Sequence, residues 1–127
     1  MERFDILIVD DEKRYADMLA SRFELRGFSC KVCNDGNTAI NLVENHSFAW
    51  MILDLRLPDI YGSEVLSQIK TTAPDTRVII LTGHGTEKDK KTCMMLGAHS
   101  FMNKPLDIDQ MVAIMGQDTN SPDNEQV

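Results

Sequence analysis

Ile6-Leu7-Ile8-Val9-Asp10-Asp11 is the stretch that decides the fold of this chain. Four aliphatic residues in a row are too short for a buried helix and lack the polar alternation of a half-exposed strand. They read as a strand buried on both faces, the kind found in parallel sheets covered by helices. Two aspartates then stand where the strand leaves the core. The arrangement returns downstream: Phe48-Ala49-Trp50-Met51-Ile52-Leu53 runs into Asp54, and Val78-Ile79-Ile80-Leu81 runs into Thr82.

Helical segments separate these runs. Glu12 to Arg26 carries Tyr15, Met18, Leu19 and Phe23 at helical spacing and stops at Gly27. Phe28 to Cys33 reads as a second, more polar strand, followed by a turn at Asn34-Asp35-Gly36 and a helix face marked by Ala39, Leu42, Val43 and His46. Ser63 to Lys70, Glu87 to Leu96 and Asp107 to Met115 complete the helices, and Ala98 to Met102 is a short fifth strand. Five strands each followed by a helix predict an α/β fold with a doubly wound parallel sheet and helices on both faces. Right-handed crossovers then require one reversal of winding. The order 2-1-3-4-5 places it between strands 1 and 3, where ligands bind at the carboxyl ends of the strands.

A chain of 127 residues, 43% hydrophobic and 26% charged, fits one domain and excludes a disordered or collagen-like protein. The expected division is a domain over 1–116 and a flexible acidic tail, or the start of a linker, over 117–127. The net charge of −7 includes Asp118, Asp123 and Glu125 near the end. No basic stripe is present, which argues against direct nucleic-acid binding. No apolar stretch is long enough for a membrane span or a secretory signal, so the expected location is cytoplasmic. Cys30-Lys31-Val32-Cys33 matches a redox spacing, but on a strand positions three apart face opposite sides. The two are read as small packed residues, and Cys93 stands alone.

Polar residues gather at the strand ends: Asp10, Asp11, Asp54, Thr82 and Lys104. One carboxylate after a strand is readily a helix cap. Two in a row plus a third on the neighbouring strand repel one another and raise a pKa. A hard dication removes the conflict, and oxygen ligands with retained waters suit Mg2+.

These residues, in this order, resemble the receiver domain of two-component response regulators from Ile6 to about Met115. The resemblance rests on Asp10-Asp11, Asp54, Pro58 and Gly62, Thr82, and Ala98, Phe101 and Lys104-Pro105. Asp54-Leu55-Arg56-Leu57-Pro58 and Leu81-Thr82-Gly83-His84-Gly85 are most similar to receivers of the nitrogen-regulator class and of hybrid kinases. Tyr61, where the family often has Asp, and Ser100 and Asn103 before Lys104 depart from the pattern.

The resemblance implies a flavodoxin-like fold and a phosphoacceptor that catalyses only its own phosphorylation and dephosphorylation. Asp54 would take a phosphoryl group from a sensor histidine kinase or a histidine phosphotransfer protein. Asp11 would bind Mg2+ directly, Asp10 largely through water, and the Arg56 carbonyl would complete the protein ligands together with Asp54. Lys104 and the Thr82 hydroxyl would each meet a phosphoryl oxygen. Thr82 and Phe101 would form the switch, reshaping the surface of helix 4, strand 5 and helix 5. The Lys104-Pro105 bond is expected to be cis, turning Lys104 back toward Asp54 as the chain enters the last helix.

Two further functions use a strand-end aspartate or the same fold. An aspartyl-nucleophile phosphohydrolase of the haloacid dehalogenase kind needs a second acid two residues after the nucleophile; Arg56 stands there and cannot donate a proton near neutral pH. A phosphorylation-independent scaffold of the same fold would more readily have lost an acid or the lysine. His84 reads either as a residue controlling water access or as a plain loop residue. Lys88-Asp89-Lys90-Lys91 reads as a solvated helix face.

Overall fold

Backbone pairing between the aliphatic runs builds the sheet that the sequence predicts. The computed structural model describes residues 2–118. In chain order its elements are β1 (Glu2–Val9), α1 (Lys13–Leu25), β2 (Cys30–Cys33), α2 (Gly36–Asn45), β3 (His46–Leu53), α3 (Gly62–Thr72), β4 (Arg77–Thr82), α4 (Glu87–Met95), β5 (Ser100–Asn103) and α5 (Ile108–Asp118). The strand order is β2-β1-β3-β4-β5 and every pair is parallel, so the doubly wound sheet is present with its reversal between β1 and β3.

Successive side chains of a strand point to opposite faces, and here both faces are buried. Leu7, Val9, Met51, Leu53, Val78 and Ile80 pack against Ala39 and Val43 of α2, Val65, Leu66 and Ile69 of α3, and Cys93 of α4. Ile6, Ile8, Trp50, Ile52, Ile79 and Leu81 pack against Ala16, Leu19 and Phe23 of α1 and Met111 and Met115 of α5. This two-sided burial is why the strands lack alternation in sequence. Each fully buried side chain of this size contributes roughly 1.5–3 kcal/mol. No helix among the described residues is long and apolar enough to cross a membrane.

Several boundaries lie beyond their predicted positions. β1 starts at Glu2 and β3 at His46, because Glu2, Arg3 and Phe4 pair with His46, Ser47 and Phe48 through the main chain. The rings of Phe4 and Phe48 stack with centroids 5.6 Å apart, and His46 meets Phe4 edge-on at 5.7 Å. His46 therefore opens a strand instead of ending a helix. β2 begins at Cys30 and β5 at Ser100, and α5 continues past Met115 to Asp118. The remainder of the expected tail lies outside the described residues.

Cys33 joins the core on the α2–α3 side and Cys30 packs on the α1–α5 side, so the pair faces apart. Both thiols are pushed up to about 12, first by burial and then by nearby carboxylates, Glu24 and Asp5 for Cys30 and Asp35 for Cys33. Such thiols are poor nucleophiles, in keeping with packed residues. The Lys104-Pro105 bond is cis.

Gly62 shows how closely the carboxyl end of β3 is built. A Cβ there would lie 2.6 Å from the Asp54 carbonyl oxygen and 2.6 Å from Leu55 Cα, and neither backbone atom can swing aside. At Gly83 the nearest atom to an added Cβ is Lys104 Cδ at 3.9 Å. Gly62→Ala is expected to cost about 1–3 kcal/mol in urea denaturation, as overpacking does. Gly83→Ala should change stability by no more than about 0.5 kcal/mol. Equal losses in the two variants would contradict this packing argument.

Candidate functional site

The sheet ladder continues one residue past three strands and so brings the polar residues level. The Asp10 N–H donates to the Cys33 carbonyl at 3.1 Å, the Asp54 N–H to the Val9 carbonyl at 3.0 Å, and the Lys104 N–H to the Thr82 carbonyl at 3.0 Å. Asp10 and Asp54 are buried, 3% and 6% exposed. Two unpaired carboxylates could not rest there without a partner. Lys104 is that partner: its Nζ lies 2.9 Å from Asp10 Oδ2, 3.0 Å from Asp54 Oδ2 and 2.6 Å from Glu12 Oε1. The Tyr15 ring covers the ammonium, its centroid 4.8 Å from Nζ, and its hydroxyl accepts the Leu106 N–H at 3.0 Å.

One ammonium against three carboxylates leaves an excess of two negative charges. Burial raises the pKa of Asp10 and outweighs the hydrogen bonds from Lys104 and the Glu12 N–H. Burial lowers that of Lys104, but the hydrogen bonds to Asp10, Glu12 and Asp54 outweigh it and raise the lysine well above its usual value. Carboxylate oxygens of Asp10, Glu12 and Asp54 lie within 4.8 Å of one another, close enough to share one cation. A dication supplies the two missing charges, so the donor set fits a hard metal ion such as Mg2+.

A cleft of about 290 Å³ opens at this point, lined by Asp11, Glu12, Asp54, Arg56, Gly83, His84 and Lys104. Asp11 is exposed on its rim and lies outside the tight carboxylate group, which contains Glu12 instead. Asp10 and Glu12, two residues apart past the end of β1, both reach the Lys104 ammonium, while Asp11 between them lines the cleft at its exposed rim. The two-residue spacing of Asp10 and Glu12 is the sequence signal for Glu12, which by pattern alone reads as the start of a helix. The Arg56 N–H donates to Asp54 Oδ1 at 3.3 Å, and Arg56 pairs with Tyr61 across the loop between β3 and α3.

Thr82 is 1% exposed, and its Oγ1 accepts the His84 N–H at 3.4 Å. Gly85 joins it to Phe101: a Cβ on Gly85 would lie 2.6 Å from Phe101 Cζ and 2.7 Å from Thr82 Cγ2. The three residues thus touch in one packed group. Tyr61 donates its hydroxyl to Asp89 Oδ1 at 3.4 Å, and Asp89 also completes a capping box with Thr86 at the start of α4. Lys88, Lys90 and Lys91 are exposed, as a solvated face requires.

A doubly wound parallel sheet, with carboxylates at the ends of its two central strands and a lysine facing them, defines a protein that handles an anionic group beside a cation. The sequence profile of the response regulator receiver domain matches residues 6–115, and the chain belongs to this family. It is a phosphoacceptor module of two-component signalling. It is 38% identical over 108 residues to the regulatory protein VanRc of Enterococcus gallinarum, covering 85% of this chain and 46% of that protein. It is 32% identical over 117 residues to an NtrX-like response regulator of Rickettsia felis, covering 91% and 25%. The CheX–CheY–BeF3–Mg2+ complex of Borrelia burgdorferi superposes with a TM-score of 0.85 at 30% identity, covering 93% of this chain and 90% of that one. The chain spans about half the length of the first curated relatives it matches.

The balance of charge predicts an unusual acid response. Removing the ammonium in Lys104→Met takes away an influence that lowers the Asp10 pKa, so Asp10 rises further. A carboxyl whose folded value exceeds its unfolded value holds more protons in the folded state, and stability then falls as pH rises through that window. Relative to wild type, Lys104→Met should therefore gain stability between about pH 7 and about pH 5. Urea midpoints at the two values measure it. A mutant that loses ground to wild type on acidification would show that these carboxylates are not in conflict.

Proposed function

We propose that Asp54 is the phosphoacceptor and that a phosphohistidine of a sensor kinase or histidine phosphotransfer protein is the donor. The observation that carries this reading is the Asp54 carboxylate itself. It is buried at the end of a central strand, opens into the cleft, and lies 3.0 Å from Lys104. An Asp54 oxygen attacks phosphorus, the phosphorus–nitrogen bond breaks with its electron pair passing to nitrogen, and the imidazole, already carrying a proton on its other ring nitrogen, leaves neutral. Lys104 and the Thr82 hydroxyl each meet one phosphoryl oxygen. Most of the acceleration in such a transfer comes from placement and charge neutralisation, which these groups supply.

Mg2+ is the proposed metal, with Asp11 and Asp54 binding it directly, Asp10 acting through water, and the Arg56 carbonyl completing the set. When bound, the ion neutralises charge on the phosphoryl oxygens. Glu12 is the resting partner of the Lys104 ammonium and is not one of the proposed ligands. The domain covers 1–116 with the following residues as tail or linker, and its chemistry is confined to its own phosphorylation and dephosphorylation. An acyl phosphate on Asp54 adds about −1.5 to −2 of charge. Thr82 moves toward it, Phe101 follows through their shared contact at Gly85, and the surface of α4, β5 and α5 changes shape for an effector. Arg56 in place of an acid disfavours the phosphohydrolase reading, and the intact set of acids and lysine disfavours the scaffold.

Incubation with acetyl phosphate and Mg2+ should add one phosphoryl group, mapped to Asp54 by mass spectrometry and absent in Asp54→Asn. A modification that persists in Asp54→Asn, or rapid turnover of small phosphate esters, would overturn the assignment.

Mg2+ should also raise the melting temperature by binding the folded state. Asp11→Ala should lose that response, and Glu12→Ala should keep it. The opposite pattern would move the direct ligand from Asp11 to Glu12.

A further inference from the structure

Asp59 lies outside the cleft, yet its carboxylate accepts three main-chain N–H groups, where those of Asp10 and Asp54 accept one each. Its Oδ1 accepts the N–H groups of Gly36 and Ile60, both at 2.9 Å, and its Oδ2 accepts the Asn37 N–H at 2.8 Å. Gly36 and Asn37 are the first two residues of α2, whose own N-cap, Asp35, accepts the Thr38 N–H at 2.7 Å. The helix start is thus capped twice, once locally and once from 22 to 23 residues away. The approach depends on Gly36, because a Cβ there would lie 2.5 Å from Ile60 Cγ1.

The distant cap falls in a revealing place. The loop between β3 and α3 is closed at its base by the Gly62 N–H to the Leu55 carbonyl at 2.8 Å and by the Arg56–Tyr61 pairing. Asp59 sits at its tip, three residues past Arg56. Base and tip are both fixed, so the Arg56 main chain between them has little freedom.

We propose that Asp59 is a positioning residue for the metal half of the site: by clamping the loop tip to the start of α2 it sets the Arg56 carbonyl. This rests on the reading above that this carbonyl is a Mg2+ ligand. Groups that orient metal ligands from behind typically account for about 10–100-fold in affinity. Burial pushes the Asp59 carboxyl up, but the main-chain donors of Asn37, Gly36 and Ile60 together outweigh it and hold the group below its usual range, so it stays charged where the site operates.

Calorimetric titration with Mg2+ alone tests it, on wild type, Asp59→Asn and Asp35→Asn. Both variants weaken the capping of α2, but only Asp59 reaches the loop. Asp59→Asn is expected to bind Mg2+ about tenfold more weakly, Asp35→Asn as wild type, and Asp59→Glu to recover part of the loss. In phosphorylation by acetyl phosphate, Asp59→Asn should raise the Mg2+ concentration for half-maximal rate and leave the rate at saturation unchanged. Circular dichroism confirms that each variant is folded. Wild-type affinity in Asp59→Asn, or an equal loss in Asp35→Asn, overturns the proposal. Absence of Mg2+ binding in wild type overturns the metal reading on which it stands.

Discussion

The contact of one ammonium with three carboxylates is the constraint around which the carboxyl end of the sheet is built. Lys104 Nζ holds Asp10, Glu12 and Asp54 within 3.0 Å, and two of those acids are buried. Buried like charges are tolerated only where the surrounding fold supplies the stability. Here the supply is the sheet beneath, with aliphatic side chains packed on both faces of β1, β3 and β4. The same parallel register that buries those side chains sets the three polar residues level. Stability and charge conflict therefore come from one geometric cause.

The proposed switch would draw on the same geometry. Thr82 lies at the end of β4, its methyl and the Phe101 ring pressing on the same Gly85. In the proposed switch, a displacement of Thr82 would leave room beside the Phe101 ring. A second tie runs from Tyr61 in the β3–α3 loop to Asp89 in the first turn of α4. Both ties cross from loops beside Asp54 to the α4 side, whereas the core below is closely packed and yields little. In the proposed phosphorylated state, charge added at Asp54 would meet this closely packed core below and two side-chain connections above.

Most of this fold was legible because burial on both faces leaves an unmistakable pattern. Ile6 to Val9 and Val78 to Leu81 have no polar position to confuse the reading, and the polar residues after them, Asp10 and Thr82, mark where the core ends. Cys30 and Cys33 were separable by strand parity alone, and they do pack on opposite sides. The missed features share a different cause. Glu2, Arg3, His46 and Ser47 extend β1 and β3 by main-chain pairing at an exposed end, where side-chain hydrophobicity carries no information. Glu12 and Tyr15 reach Lys104 from residues that look, in sequence, like an ordinary helix start. Asp59 meets Gly36 and Asn37 across more than twenty residues, a contact no local pattern encodes.

The central claim is that the excess charge at the strand ends exists to receive a dication and a phosphoryl group at Asp54. A crystal structure with Mg2+ and beryllofluoride tests it most directly. Beryllium is expected on an Asp54 oxygen, the ion on Asp11, Asp54 and the Arg56 carbonyl, and Lys104 released from Glu12 to meet a fluorine. Beryllofluoride absent from Asp54, or Lys104 still bound to Asp10 and Glu12 with the ion elsewhere, would contradict it.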